Sequence, residues 1–173
     1  MRGSILAMTA VCVAASTLHA QSTLPYLAEL QQNYTSVKNS LTRLVDKMPE
    51  DDYGFKPTPE IRAFSDAVAH VAEYQTRSCG LVTGENPQID PEKLKAKAAL
   101  TTAVKESFAI CDRAFAELTD ATARQMVRLG QSTRERSKLA LQAGMISHSN
   151  EQYGYMSVYL RLKGIVPPSS EGQ

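Results

Sequence analysis

Leu27, Leu30, Tyr34, Val37, Leu41, Leu44 and Met48 follow one another at steps of three and four residues without a miss. An α-helix turns once in about 3.6 residues, so this spacing lines the apolar side chains up on one stripe and leaves the intervening polar residues outside. A stripe of that length has to be covered by other helices. The pattern predicts a first helix over about Pro25 to Lys47, with Pro25 in its first turn, where a missing amide proton does no harm. Its only titratable inward group is the Tyr34 phenol, so this helix reads as a wall and not as a site.

The rest of the chain repeats the helical pattern. There is no Trp, aromatics are few, and long stretches lack Gly and Pro, which makes an all-α class the natural one. Pro49 to Pro59 is a polar connection whose prolines forbid a continuous helix. Its Tyr53 and Phe55 either pack over one end of a bundle or line a mouth. A second helix is expected from about Glu60 or Ser65 to Val82, stopped at Gly84. It places Ala67, His70, Tyr74 and Leu81 on one face, with Phe64, Val68 and Val71 beside them. Glu85 to Ala96 is a long connector with at most a short turn at Asp90-Pro91-Glu92. A third helix follows from about Ala98 to Leu118, with Leu100, Val104, Phe108, Cys111, Phe115 and Leu118 inward. Thr119 to Gln131 is a further connector, in which Asp120 is able to cap a short turn and Gly130 marks a break.

A long fourth helix is expected to open at Ser132, because Ser132-Thr133-Arg134-Glu135 has the spacing of a capping box. Steps of four and three from Leu141 then give Met145, His148, Gln152, Tyr155, Tyr159 and Leu162 as its inward stripe. Gly164 and Pro167-Pro168 end it, and the tail from Ser169 to Gln173 is polar and expected to be loose. His148 and Gln152, one turn apart, point an imidazole and an amide toward a common point. They are either metal ligands or a polar pair hydrogen-bonded inside a core, and an amide oxygen is a poor donor to Zn²⁺ or Ni²⁺. His70, in mid-helix beside an apolar face, is open to the same two readings. Glu151 points about 100° away from the stripe, which removes it as a general base.

Nineteen basic and 18 acidic residues are well mixed, for a net charge of +1. No basic patch argues for nucleic acid and no charge block for a disordered tail. Residues 1 to 20 read as a secretory signal: Arg2, an apolar centre from Ile5 to Ala15, and Leu18-His19-Ala20 as a cleavage site before Gln21. The alternative is a retained membrane anchor. Processing leaves one domain, residues 21 to 173, exported to the periplasm or beyond and with no stable membrane span. Cys12 and His19 leave with the signal, so Cys79 and Cys111 remain as an even pair in an oxidising compartment, which suggests a disulfide. The long connector allows the second and third helices to run parallel, which brings both cysteines to the same end; antiparallel helices separate them. Two buried free thiols are the other reading. No Cys-x-x-Cys-His is present for covalent haem.

Three stretches together resemble the DinB-like (DinB/YfiT) superfamily of four-helix bundles. They are Met48-Pro49-Glu50-Asp51-Asp52-Tyr53-Gly54-Phe55-Lys56-Pro57-Thr58-Pro59, then Ala69-His70-Val71-Ala72-Glu73, then His148-Ser149-Asn150-Glu151-Gln152-Tyr153-Gly154 with Tyr159 to Ser169 behind it. The resemblance spans about Leu24 to Ser169. It implies an up-down-down-up bundle with a metal site between the second and fourth helices, built in that family from one His on the former and a His-x3-His pair on the latter. His70 and His148 match; the third position holds Gln152, which implies a weak or absent Zn²⁺ or Ni²⁺ site. Family activities are thiol-dependent transfer, isomerisation and hydrolase-like reactions, so the resemblance implies a metal-dependent transferase or hydrolase of a small substrate, or a non-catalytic bundle that keeps the cavity for a small-molecule ligand. A homodimer is compatible with either.

Overall fold

The computed structural model describes residues 25–172, in which four helices dominate. They are α1 (Pro25–Lys47), α2 (Phe64–Thr83), α3 (Lys97–Ala116) and α4 (Lys138–Leu162). The chain is therefore all-α apart from one small antiparallel hairpin, β1 (Met126–Arg128) with β2 (Glu135–Ser137).

Cross-helix partners give the direction of each helix. Asp66, at the start of α2, pairs with Lys95 just ahead of α3 at 2.8 Å, while Cys79 and Cys111 near the far ends are joined by a disulfide with Cα atoms 5.0 Å apart. The two helices are parallel. The Tyr34 hydroxyl, early in α1, donates to Asp112, late in α3, at 2.6 Å, and the Lys97 ammonium at the start of α3 donates to the carbonyls of Asp46 and Met48. Thus α1 opposes α3. Gln75 meets Ser149, and Tyr159 meets the backbone just before α2, so α4 opposes α2. The bundle is up-down-down-up.

The α1 stripe is buried along its whole length, as its spacing requires. Tyr53 and Phe55 close one end: the Tyr53 hydroxyl donates to the Val45 carbonyl at 2.7 Å with its ring edge-on to Phe64, and Phe55 stands edge-on to Tyr159. Gly84 and Gly164 end α2 and α4 at φ +76° and +73°, a left-handed conformation that favours glycine.

Four expectations are corrected. Helix α4 begins at Lys138 and not at Ser132, because Glu135 is taken into the hairpin opposite Arg128 and the Ser132 hydroxyl accepts from the Arg134 amide in the turn. The cap is Ser137, whose hydroxyl accepts from the Ala140 amide at 3.2 Å. The supposed connector from Thr119 to Gln131 accordingly contains β1. The buried face of α4 is also rotated from the expected stripe. Tyr155 and Leu162 are exposed, whereas Gln142, Ile146, Ser149, Met156 and Leu160 are buried. Apolarity alone passes over Gln142 and Ser149, and these two fix the rotation. Finally, the tail is docked: Glu171 forms ion pairs with Arg43 and Lys47, and the Ser169 amide donates to the Tyr153 hydroxyl at 2.8 Å. The proposed signal with Cys12 and His19 lies outside the described residues; among those described, no helix is long and apolar enough to cross a membrane.

Candidate functional site

Helices α2 and α4 bring His70 and His148 together across 78 positions of sequence, with their Nε2 atoms 3.1 Å apart. Both rings are at the rim of the core and half-buried, a consequence of the rotation of α4. The Tyr74 ring lies flat on the His148 ring, centroids 3.7 Å apart, and the Arg77 guanidinium lies 5.5 Å from the Tyr74 centroid on the same helix. Glu73 faces Nδ1 of His70 at 3.8 Å, too far for a hydrogen bond but close enough to favour a proton there.

Partners decide the tautomers. A proton on His70 Nδ1 meets the Glu73 carboxylate and leaves its Nε2 lone pair to accept from His148 Nε2–H. His148 then keeps a lone pair on Nδ1, which is buried without a partner. That is the milder choice, since an under-used acceptor is tolerated better than a buried N–H with no acceptor. Burial, reinforced by His70 next to it, pushes His148 down to about 4, and burial, with the Arg62 charge second, lowers His70 as well. Both imidazoles are neutral at pH 7, the form in which they bind metals.

Gln152 lies one turn beyond His148, is only 8% exposed, and its amide makes no hydrogen bond to any described residue. It lines a cavity of ≈ 480 Å³ that opens beside the histidine pair between α4 and the chain leading into α2. A second cavity of ≈ 520 Å³ lies on the other side, with Tyr74, Arg77 and Leu141 in its wall. Among the described residues no cluster of three or more His, Cys, Asp or Glu is placed to hold a metal ion. Of the remaining candidates, Tyr159 is spent on the Arg62 carbonyl at 2.8 Å, and Tyr155 points out and donates to the exposed Glu151 at 2.9 Å. Cys79 and Cys111 lie deeper, fully buried.

Sequence reasoning missed three contributors. The Gln75 amide accepts from Ser107 on α3 and donates to Ser149 on α4, holding the helices in register one layer below the pair. Its signal was present, since Gln75 interrupts the stripe Val68, Val71, Cys79 and Val82. Periodicity places Tyr74 on the face of His70, but its stacking on His148 depends on α4. Arg62 precedes α2, where no periodicity exists to mark it.

The fold and site define a four-helix bundle whose second and fourth helices pair two histidines at the rim of the core. The DinB superfamily model matches residues 33–156, and the chain belongs to that superfamily. Compared with curated proteins by sequence, it matches none significantly. Among solved structures it is similar to a DinB-like protein from Bacillus cereus (15% identity, TM-score 0.69, covering 82% of this chain and 95% of that one). A DinB-like protein from Bacillus subtilis is also similar (19%, 0.59, 79% and 92%). So is a mycothiol-dependent maleylpyruvate isomerase (21%, 0.57, 77% and 60%). Likeness at these identities shows a shared fold.

Proposed function

We propose that this is an exported member of the DinB superfamily that holds a divalent metal ion, Zn²⁺ or Ni²⁺, between His70 and His148 with Gln152 as a weak third donor, and acts on a small substrate by transfer or hydrolysis. The observation that carries this reading is the 3.1 Å approach of the two Nε2 atoms. Nitrogens each about 2.0–2.1 Å from one tetrahedral ion stand roughly 3.3 Å from each other, so the residues present fit the ion with little rearrangement. Neutrality of both rings supports the same reading, as does a Glu73 carboxylate that keeps the proton on the far nitrogen of His70. The chemistry such an ion supplies is Lewis acidity, which makes a nucleophile of water or a thiol at neutral pH. Tyr74 covers one face of His148 and keeps water from it, while Gln152 orients what enters the adjoining cavity. The isomerase among the similar structures supports small-molecule chemistry on this fold.

A second reading, a non-catalytic binding protein with a degenerate metal site, is favoured by Gln152 itself, since an amide in place of an imidazole weakens the ion's hold. Metal analysis separates the two. Mature protein equilibrated with Zn²⁺ or Ni²⁺ is expected to retain less than a full equivalent, His148→Ala to retain none, and Gln152→His to bind on the order of tenfold or more tighter. A Gln152→His protein that binds no better than the wild type sinks the convergence of these residues on one ion.

A further inference from the structure

The cavity beside Gln152 has a chemical character of its own. Pro57, Ile61, Ala67, Tyr155, Val158 and Tyr159 give it apolar walls. Three of these, Ile61, Tyr155 and Val158, are 43%, 57% and 53% exposed, a group of large apolar side chains around one mouth. Two charged residues complete the wall, Glu60 and Arg62. The Glu60 carboxyl is held below its usual range by the Thr58 hydroxyl and its own backbone amide, so it stays ionised. Arg62 has no carboxylate partner among the described residues. Its backbone is pinned at the mouth by the Tyr159 hydroxyl. Gln152, a residue only 8% exposed, adds its amide to the same wall.

We infer that this cavity binds a small monoanionic carboxylate with an apolar body: the body lies on Ile61, Val158 and the tyrosine rings, and the carboxylate takes the Arg62 guanidinium. A guanidinium presents a flat fork of N–H donors that matches a carboxylate. With the Glu60 carboxylate as the other charge in the wall, the Arg62 guanidinium suits one negative charge and a dianion is disfavoured. The volume lies within the range of small-molecule sites. The inference rests on reading His70, His148 and Gln152 as a small-molecule site and names what that site takes.

The test uses mature full-length protein in EDTA, with 4-phenylbutyrate as probe, 4-phenylbutyramide as its neutral counterpart and inorganic phosphate as competitor, read by titration calorimetry. Phenylbutyrate is expected to bind about tenfold tighter than the amide, in line with a charge-assisted hydrogen bond, and Arg62→Gln is expected to erase that preference. Val158→Glu, on an exposed position that does not endanger folding, is expected to abolish phenylbutyrate binding. Phosphate is expected not to compete. Equal binding of acid and amide, an Arg62→Gln protein that still prefers the acid, or a wild-type dimer that Val158→Glu converts to monomer each overturns the inference, the last by showing a second copy on this face. Metal uptake measured on the same wild-type preparation separates this from the metal reading: failure of carboxylate binding with uptake intact removes the present inference alone.

Discussion

Gln75 on α2 donates to the Ser149 hydroxyl on α4 at 3.3 Å, and Ser149 directly follows His148 in the chain. The same amide accepts from Ser107 on α3 at 2.7 Å, so one fully buried side chain ties three helices. Such a tie is satisfied in one register only, and a slipped α4 leaves polar groups unpaired in apolar surroundings. It sets the height at which His148 meets His70.

Gln75→Leu preserves most of the volume and removes the tie. Ser107 keeps its bond to the Val104 carbonyl, and Ser149 is left with the Met145 sulfur. Stability is expected to fall by about 1–2 kcal/mol in urea unfolding. An unchanged midpoint shows that the register is held elsewhere.

The start of α4 is tested by two serines. Ser137→Ala removes the bond to the Ala140 amide and is expected to cost about 1 kcal/mol, whereas Ser132→Ala, in the hairpin turn, is expected to stay within roughly 0.5 kcal/mol of wild type. The reverse order of thermal midpoints returns the helix start to Ser132.

These two serines also show what the sequence makes legible. The four helices, their glycine stops and the inward stripe of α1 are carried by local periodicity, and local periodicity is what a single chain displays. The pairing of His70 with His148 was legible through the resemblance of two short motifs. The rotation of α4 was not, because it depends on buried Gln142 and Ser149, whose polarity argues for the surface until Gln75 is seen opposite. The hairpin was hidden by a Ser-x-x-Glu spacing that serves a turn as well as a helix cap. Arg62 was hidden for want of any pattern ahead of α2.

A pH dependence follows from His148. Its folded pKa of about 4 lies below the ordinary imidazole value of 6.5, so between those limits the unfolded chain binds the proton and the folded one does not. Stability is full above about pH 6.5 and falls as pH drops toward 4, by on the order of 1 kcal/mol once the partial exposure of the ring is discounted. EDTA-treated wild type is expected to lose stability relative to His148→Gln across this window. In Tyr74→Ala, which uncovers one face of the ring, the His148 resonance is expected to titrate closer to 6.5 by NMR. A His148 that titrates normally in the wild type removes the prediction.

The disulfide closes a loop of sequence separation 32, worth about 3–4 kcal/mol in the chain-entropy account. Cys79→Ala/Cys111→Ala is expected to lose roughly that amount. Non-reduced protein is expected to take up no alkylating reagent at these positions even when unfolded, and two modified thiols before reduction refute the bond.

That cross-link stitches α2 to α3 and, among the described residues, α4 carries no covalent cross-link to either. The pair with the stitch behaves as a slab, and the helix carrying His148 is a loose plank laid across it. Were that plank to lift, the two imidazoles would part while the slab beneath stayed whole. A group held by both imidazoles would therefore act as a fastener where the cross-link supplies none.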